Sequence, residues 1–280
     1  MPENENTASA PAAQSSLAHH IAFKTDIGRS HRVNQDAGGA WTWTRLDGTP
    51  ASLLVVADGV SAGRRSEDVS RLVSKLVFDR MKPLLEDPSR SADGLLATLA
   101  GIVRQANHEV ASRPHVSPAS ADATTLVVAY CVGQRGGGVW VGDSRVYRID
   151  GTDVSQLTRD HSWAEGAVSQ GFMTSEQAAS DPRAHMITRW LGPPDQDDPG
   201  VETFTFDLKP GGVILCCSDG LYGYFSPPIS DAGEMARIVV SHNSDLRAAS
   251  DHLVDLALER GGHDNITVAA LQLEAESQSG

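Results

Sequence analysis

Apolar residues in this chain gather into short runs that end abruptly in acid. LLVVADGV, residues 53–60, passes from large aliphatic side chains straight into Asp58 and Gly59. Nothing polar alternates along it, which predicts a strand buried on both faces. The same shape returns in VWVGDS, where Asp143 closes the run, and in VILCCSDG, where Asp219 does. Strand patterns fall at 20–24, 40–44, 52–57, 124–132, 138–141, 145–150, 201–208, 212–217 and 266–273. Short turns such as GQRGGG, DGT and KPGG join several neighbours, which favours antiparallel hairpins over crossover helices.

Helical periodicity is clearest in three places. Ser66 is placed as the cap of a helix with Glu67 and Asp68 in its first turn. Its apolar face is Val69, Leu72, Val73, Leu76, Val77 and Met81, and it ends before Pro83. A second helix is predicted over 91–111 and a third over 245–260, the latter stopping at Gly261 and Gly262. Between 158 and 192 the texture changes to two short helical pieces without a strong apolar face, the second opened by a capping box of Thr174 and Gln177. A flap over a site and an ordinary surface excursion both fit that texture. The tryptophans at 41, 43, 140, 163 and 190 read as packing residues.

Composition narrows the partners. The 23 Lys+Arg against 36 Asp+Glu give a formal charge of -13, which repels a phosphate backbone, so no nucleic-acid partner is expected. Cys131, Cys216 and Cys217 lie in apolar runs and read as core thiols rather than a disulfide framework. No apolar run is long enough to span a membrane, and residues 1–20 read as a disordered leader without a secretory signal. A cytoplasmic protein, acting as a monomer, is the expectation.

Five acids sit where strands meet turns: Asp36, Asp58, Asp143, Asp219 and Asp264. Should those strand ends converge, the carboxylates share one small volume, and two unit charges about 4 Å apart repel by roughly 4 kcal/mol at an effective dielectric near 20. Such a cluster must protonate, find basic partners or bind cations. Arg145 alone follows one of these acids closely, and the histidines lack zinc-site spacing. Oxygen ligands suit Mg²⁺ or Mn²⁺, and a pair of such ions activates water against phosphate esters. Taken singly, each acid also fits an ordinary turn or cap.

In order, the segments DIGRSHRVNQDA, VVADGV, ADATTLVVAY, VWVGDSRVYRIDG, LTRDHS, DPRAHMITRWLG, VILCCSDGLYG and GGHDNITVAAL resemble the bacterial branch of the metal-dependent type-2C (PPM) serine/threonine protein phosphatases. The resemblance implies an α+β fold, a four-layer αββα sandwich of two antiparallel β-sheets flanked by helices. It implies a single type-2C phosphatase domain over 21–273, with a flap at about 160–190 and a C-terminal tail over 274–280. By matching motifs, Asp58 would bridge two Mn²⁺ or Mg²⁺ ions, with the Gly59 carbonyl helping one and Asp219 and Asp264 holding the other. Asp36 would act through a metal-bound water, and Asp143 with Asp219 would form a third, weaker site. Asp36, Asp58, Asp219 and Asp264 are thus the implied catalytic acids, working through metal-activated water on phosphoserine or phosphothreonine. Phosphorylated proteins are the implied substrates, opposite a cognate serine/threonine kinase.

Two positions depart from the family pattern. Gln35 stands where a Glu is usual, and His31, with Arg32 beside it, stands where a phosphate-contacting Arg is common. His31 and Arg32 are therefore the candidate phosphate contacts; at an unperturbed pKa of about 6.5, a His in that role makes binding pH-sensitive. Arg64 and Arg65 are read either as phosphate contacts or as a solvated pair at a helix start. In the flap, Asp160, His161 and Arg189 match family motifs, and His161 and His185 are the candidate general acids. Two other readings stay open, a phosphatase fold that binds without turnover and a hydrolase of small phosphorylated metabolites.

Overall fold

The computed structural model describes residues 17–113, 122–192, 198–225, 232–242 and 245–275. Its strands are β1 (Leu17–Asp26), β2 (Ala37–Thr44), β3 (Pro50–Ala57), β4 (Leu126–Val132), β5 (Arg135–Val141), β6 (Arg145–Asp150), β7 (Asp153–Gln156), β8 (Glu202–Asp207), β9 (Val213–Cys217) and β10 (Ile266–Ala275). The helices are α1 (Ser66–Glu86), α2 (Ala92–Ala111), α3 (Trp163–Ser169), α4 (Ser175–Ala179), α5 (Asp219–Tyr222), α6 (Ala232–Ser241) and α7 (Leu246–Glu259).

Two antiparallel five-stranded sheets result, ordered β2-β3-β4-β5-β8 and β1-β10-β9-β6-β7. Burial explains the layering. Leu54, Val56, Val127, Ile214, Cys216, Ala269 and Leu271 meet between the sheets. Leu53, Val55 and Ala57, on the opposite face of β3, meet Val69, Val73, Val77, Leu95 and Leu99 of α1 and α2. On the far side Leu215, Cys217, Val268 and Ala270 meet Leu246, Leu253 and Ala257 of α7. Both faces of β3 are thus covered, and all eight of its residues are buried, as an unalternating apolar run requires. The four-layer αββα expectation is met.

Register then decides where the acids go. β3 and β5 both pair antiparallel with β4, so they run in the same direction and finish at the same end. Asp58 follows one and Asp143 the other. Ala37 opposes Ala57, so Asp36, just before β2, returns to that end. In the second sheet Cys217 opposes both Val268 and Arg145, so β9 finishes where β10 and β6 begin. Asp219 therefore meets Asp264 on one side and Asp143 on the other.

Several expectations are corrected. Ser66 does not cap α1; Arg65 holds that position, and the Ser66 hydroxyl donates to the Val60 carbonyl at 2.7 Å. The Arg65 N–H donates instead to the Asp122 carboxylate at 2.9 Å. α1 runs through Pro83, with buried Met81 and Leu85 holding the last turns to the sheet. Arg45 Nε donates to the Leu85 carbonyl at 2.7 Å, satisfying an acceptor the helix end leaves open. β1 starts at Leu17, inside the expected leader, and β10 reaches Ala275, inside the expected tail; residues 1–16 and 276–280 lie outside the described residues. β7, α5 and α6 are additional to the expected elements. The capping box of Thr174 and Gln177 is present, with both hydrogen bonds made. Among the described residues, no helix is long and apolar enough to cross a membrane.

Candidate metal centre

The acids converge as register demands. Asp36 is buried, and its Oδ2 accepts from the Ser218 hydroxyl at 2.9 Å, while Ser218 Oγ accepts from the Thr267 N–H at 3.0 Å. Its other oxygen, Oδ1, is buried with no hydrogen-bond partner. Asp58 is held through its backbone: its carbonyl accepts from the Thr125 N–H at 2.8 Å and the Thr124 hydroxyl at 2.9 Å. Thr125 Oγ1 also pairs with Ser144 Oγ at 2.8 Å, tying the Asp58 turn to the Asp143 turn.

Two glycines make the approach possible. A Cβ on Gly59 would stand 2.6 Å from the Gln35 carbonyl oxygen, and one on Gly220 would stand 2.0 Å from the Asn265 carbonyl oxygen. Any side chain at either position pushes the acid-bearing turns apart. Asn265 is the clamp on the remaining loop. Its Nδ2 donates to the Ile27 carbonyl at 2.8 Å and the Val33 carbonyl at 3.3 Å, and its Oδ1 accepts the Gln35 N–H at 2.8 Å. The 27–36 loop is thereby fixed against the turn that carries Asp264.

Burial and mutual repulsion raise the carboxyl pKa values of the group. Burial, opposed by the hydroxyl hydrogen bonds and reinforced by Asp219 and Asp264, pushes the Asp36 carboxyl up to about 7. Asp219 is pushed up to about 6, chiefly by burial and then by Asp264, against hydrogen bonding with Asp58. Asp58 and Asp143 are driven well above the ordinary carboxylate range, first by burial and then by the other acids. Arg145 relieves only Asp143, and weakly. It forms a two-pronged pair with Asp160 at 2.9 and 2.7 Å, its guanidinium lying 3.7 Å from the centre of the Tyr222 ring.

Such a pit suits hard divalent cations. Its donors are carboxylate oxygens, and Asp36 Oδ1 stands without a partner. Among the described residues no three His, Cys, Asp or Glu groups close into a ready-made cage.

The other candidates divide. His31 Nε2 lies 3.2 Å from Asp264 Oδ1, so it faces a site acid, while Arg32 is exposed. Gln35 Nε2 donates to the Gly63 carbonyl at 3.4 Å. Arg64 is exposed, and Arg65 pairs with Asp68 at 2.6 Å at the start of α1, the solvated alternative for that position. Asp160, His161 and Arg189 sit at the root of the flap. The Gly142 N–H donates to His161 Nδ1 at 3.0 Å, so the ring proton belongs on Nε2, which donates to Glu202 Oε1 at 3.2 Å. Arg189 holds the same Glu202 oxygen at 2.7 Å, and the Trp140 ring stacks on His161. Burial, then Arg189, lowers the His161 pKa. His161 is therefore held between the Gly142 turn, Glu202 and the Trp140 ring at the base of the flap. His185 lines a cleft of about 340 Å³ between flap and body, together with Asp143, Arg145 and Tyr222. Sequence reasoning missed Ser218 and the clamping role of Asn265, and the signal available was only their adjacency to Asp219 and Asp264.

The model of the family described as Protein phosphatase 2C matches residues 27–256. The chain belongs to the protein phosphatase 2C family. It is 30% identical to the serine/threonine protein phosphatase PstP of Mycobacterium tuberculosis over 91% of this chain. That match takes in 45% of PstP, so the chain spans less than half the length of this curated relative. It is 29% identical to the serine/threonine phosphatase stp of Listeria innocua, over 90% of this chain and 95% of that protein. A crystal structure of the catalytic domain of PstP in complex with 2 manganese ions superposes with a TM-score of 0.66 at 26% identity, over 92% of this chain and 99% of that one. Membership in the 2C family accounts for the shared sandwich.

Proposed function

We propose that this chain removes phosphate from phosphoserine and phosphothreonine of proteins, using water at a centre of two or more Mn²⁺ or Mg²⁺ ions. The observation that carries this reading is the buried, unpartnered Asp36 Oδ1 beside Asp58, Asp143 and Asp219, whose carboxyls are raised by burial and by one another, with the Asp264 charge raising Asp36, Asp58 and Asp219 further. A scaffold gains nothing by holding like charges together, and a hydrolase does. The manganese ions named for the PstP structure and the phosphatase names of the relatives point the same way.

In this reading Asp58, the Gly59 carbonyl, Asp219 and Asp264 hold the ions, with Asp143 serving a weaker site beside Asp219. When bound, the ions offset the carboxylates, orient phosphoryl oxygens and acidify water near neutral pH. Asp36 Oδ1 accepts a hydrogen from water in the pit, while Ser218 fixes the other carboxylate oxygen. Arg32 meets the phosphate from the exposed loop, and His31 steadies Asp264. A serine/threonine kinase supplies the substrate by the reverse chemistry.

The test is turnover of phosphothreonine peptides, with sugar and nucleotide phosphates in parallel. Mn²⁺-dependent turnover of the peptides that a chelator abolishes is expected. Chelator-resistant turnover contradicts the proposal, metal binding without turnover indicates the binding-module reading, and preference for the small phosphates indicates a metabolite hydrolase. A narrower expectation concerns Ser218→Ala. It strips Asp36 of its orienting hydroxyl and leaves the Thr267 N–H unpaired in the core. Stability should fall by about 1–3 kcal/mol. Turnover should fall about tenfold with KM little changed, read by steady-state kinetics beside thermal melting.

A further inference from the structure

Far along the sequence from Asp36 and Asp58, the α6–α7 layer brings two imidazoles together. His242 follows the last residue of α6, and His252 lies on α7. His242 Nε2 and His252 Nδ1 are 3.0 Å apart, with the rings edge to face at 82°. His252 is exposed and His242 half-buried, so water and solutes reach the pair. As it stands, one ring N–H donates to the other ring's bare nitrogen.

That spacing also fits two ligands of one ion. Imidazole nitrogens bind Zn²⁺, Ni²⁺ and Cu²⁺ at about 2.0–2.1 Å, so two of them stand about 2.9 Å apart at a right angle and about 3.3 Å apart at the tetrahedral angle. The observed separation of 3.0 Å lies within this span. Binding asks both rings to turn so that their nitrogens converge on the ion beside the present N···N line, and the proton on the shared edge moves to the other nitrogen of its own ring, leaving two neutral ligands and no net proton release. We propose that His242 and His252 form a surface site for a borderline divalent transition ion, Ni²⁺, Cu²⁺ or Zn²⁺, whose remaining positions are filled by water.

The pair differs in chemistry from the acid pit, because Mn²⁺ and Mg²⁺ prefer oxygen donors. Its place in the fold gives the ion something to hold. α6 and α7 are already joined at the other end of α7 by Arg260, which donates to both Glu234 oxygens at 2.9 and 2.7 Å. An ion at His242 and His252 would fasten the same two helices a second time, stiffening the layer whose chain continues through Gly261 and Gly262 to Asp264.

The experiment is calorimetric titration of the full chain with Ni²⁺ in saturating Mn²⁺, which fills the oxygen site, with thermal melting alongside. His242→Ala, His252→Ala and, as a control among the ten histidines, exposed His20→Ala are compared. Saturable Ni²⁺ binding with a raised melting temperature is expected, weakened at least ~10-fold by either of the first two changes and untouched by the third. Absence of such binding, or its survival in both His242→Ala and His252→Ala, overturns the proposal. Either result leaves the phosphatase reading standing, because Mn²⁺-dependent turnover is measured separately on the same proteins.

Discussion

Asp58→Asn should abolish turnover and at the same time raise the melting temperature of the metal-free protein. Asp58 is the acid most surrounded by others. Burial raises its pKa first, and Asp36, Asp219, Asp143 and Asp264 each raise it further. An amide keeps the shape and removes both the buried charge and one ion ligand. Loss of several kcal/mol of cation-based stabilisation of the transition state corresponds to a drop of about 10³-fold or more. Relief of like-charge repulsion acts oppositely on folding, a trade of activity against stability found at functional sites. Phosphopeptide kinetics and thermal melting in chelator, run on one preparation, check both halves. A merely structural Asp58 would give the opposite second half, a lowered melting temperature.

The second large effect is a pH dependence that manganese should erase. In the folded, metal-free chain the Asp36 carboxyl is raised to about 7 and that of Asp219 to about 6, from an ordinary value of 3.8. Between those values the folded form keeps protons that the unfolded chain has released, so stability falls as pH rises. Their contribution is fully present below about pH 4 and is lost as pH passes through about 6 and then 7. On the order of a few kcal/mol is involved, hence several degrees of melting temperature in a chain of this size. Saturating Mn²⁺ should flatten or reverse the slope, since a cation favours the ionised carboxylates. The difference between melting curves in chelator and in Mn²⁺ from pH 4 to 8 isolates these acids from all others. Parallel curves would contradict the assignment.

What the sequence made legible follows from where periodicity is strong. β3 was readable because both of its faces are buried, and an unbroken apolar run leaves few alternatives. β7 was not: its residues DVSQ pair along one edge with β6 and carry no apolar pattern. β5 extends back from 138 through Gly137 and Gly136 to Arg135, and the glycines offer no side chains to read. α1 was expected to stop at Pro83 because a proline removes one helical hydrogen bond; packing of Met81 and Leu85 outweighs that local signal. Among site residues, the five acids stood out because turn chemistry gives no reason for buried strands to end alike. Ser218, Asn265 and the engagement of His161 with Gly142 and Glu202 depend on partners 19 to 238 residues away, which only the folded register supplies. His31 illustrates the same limit, since its partner Asp264 lies at the opposite end of the chain.

Anomalous diffraction from crystals soaked in Mn²⁺, collected at the manganese absorption edge, tests the account at its root. Peaks within coordination distance of Asp58, Asp219 and Asp264, with Asp36 Oδ1 turned toward a water beside them, are the expected result. Crystals that bind manganese elsewhere, or leave those carboxylates in contact only with each other and with solvent, would contradict it.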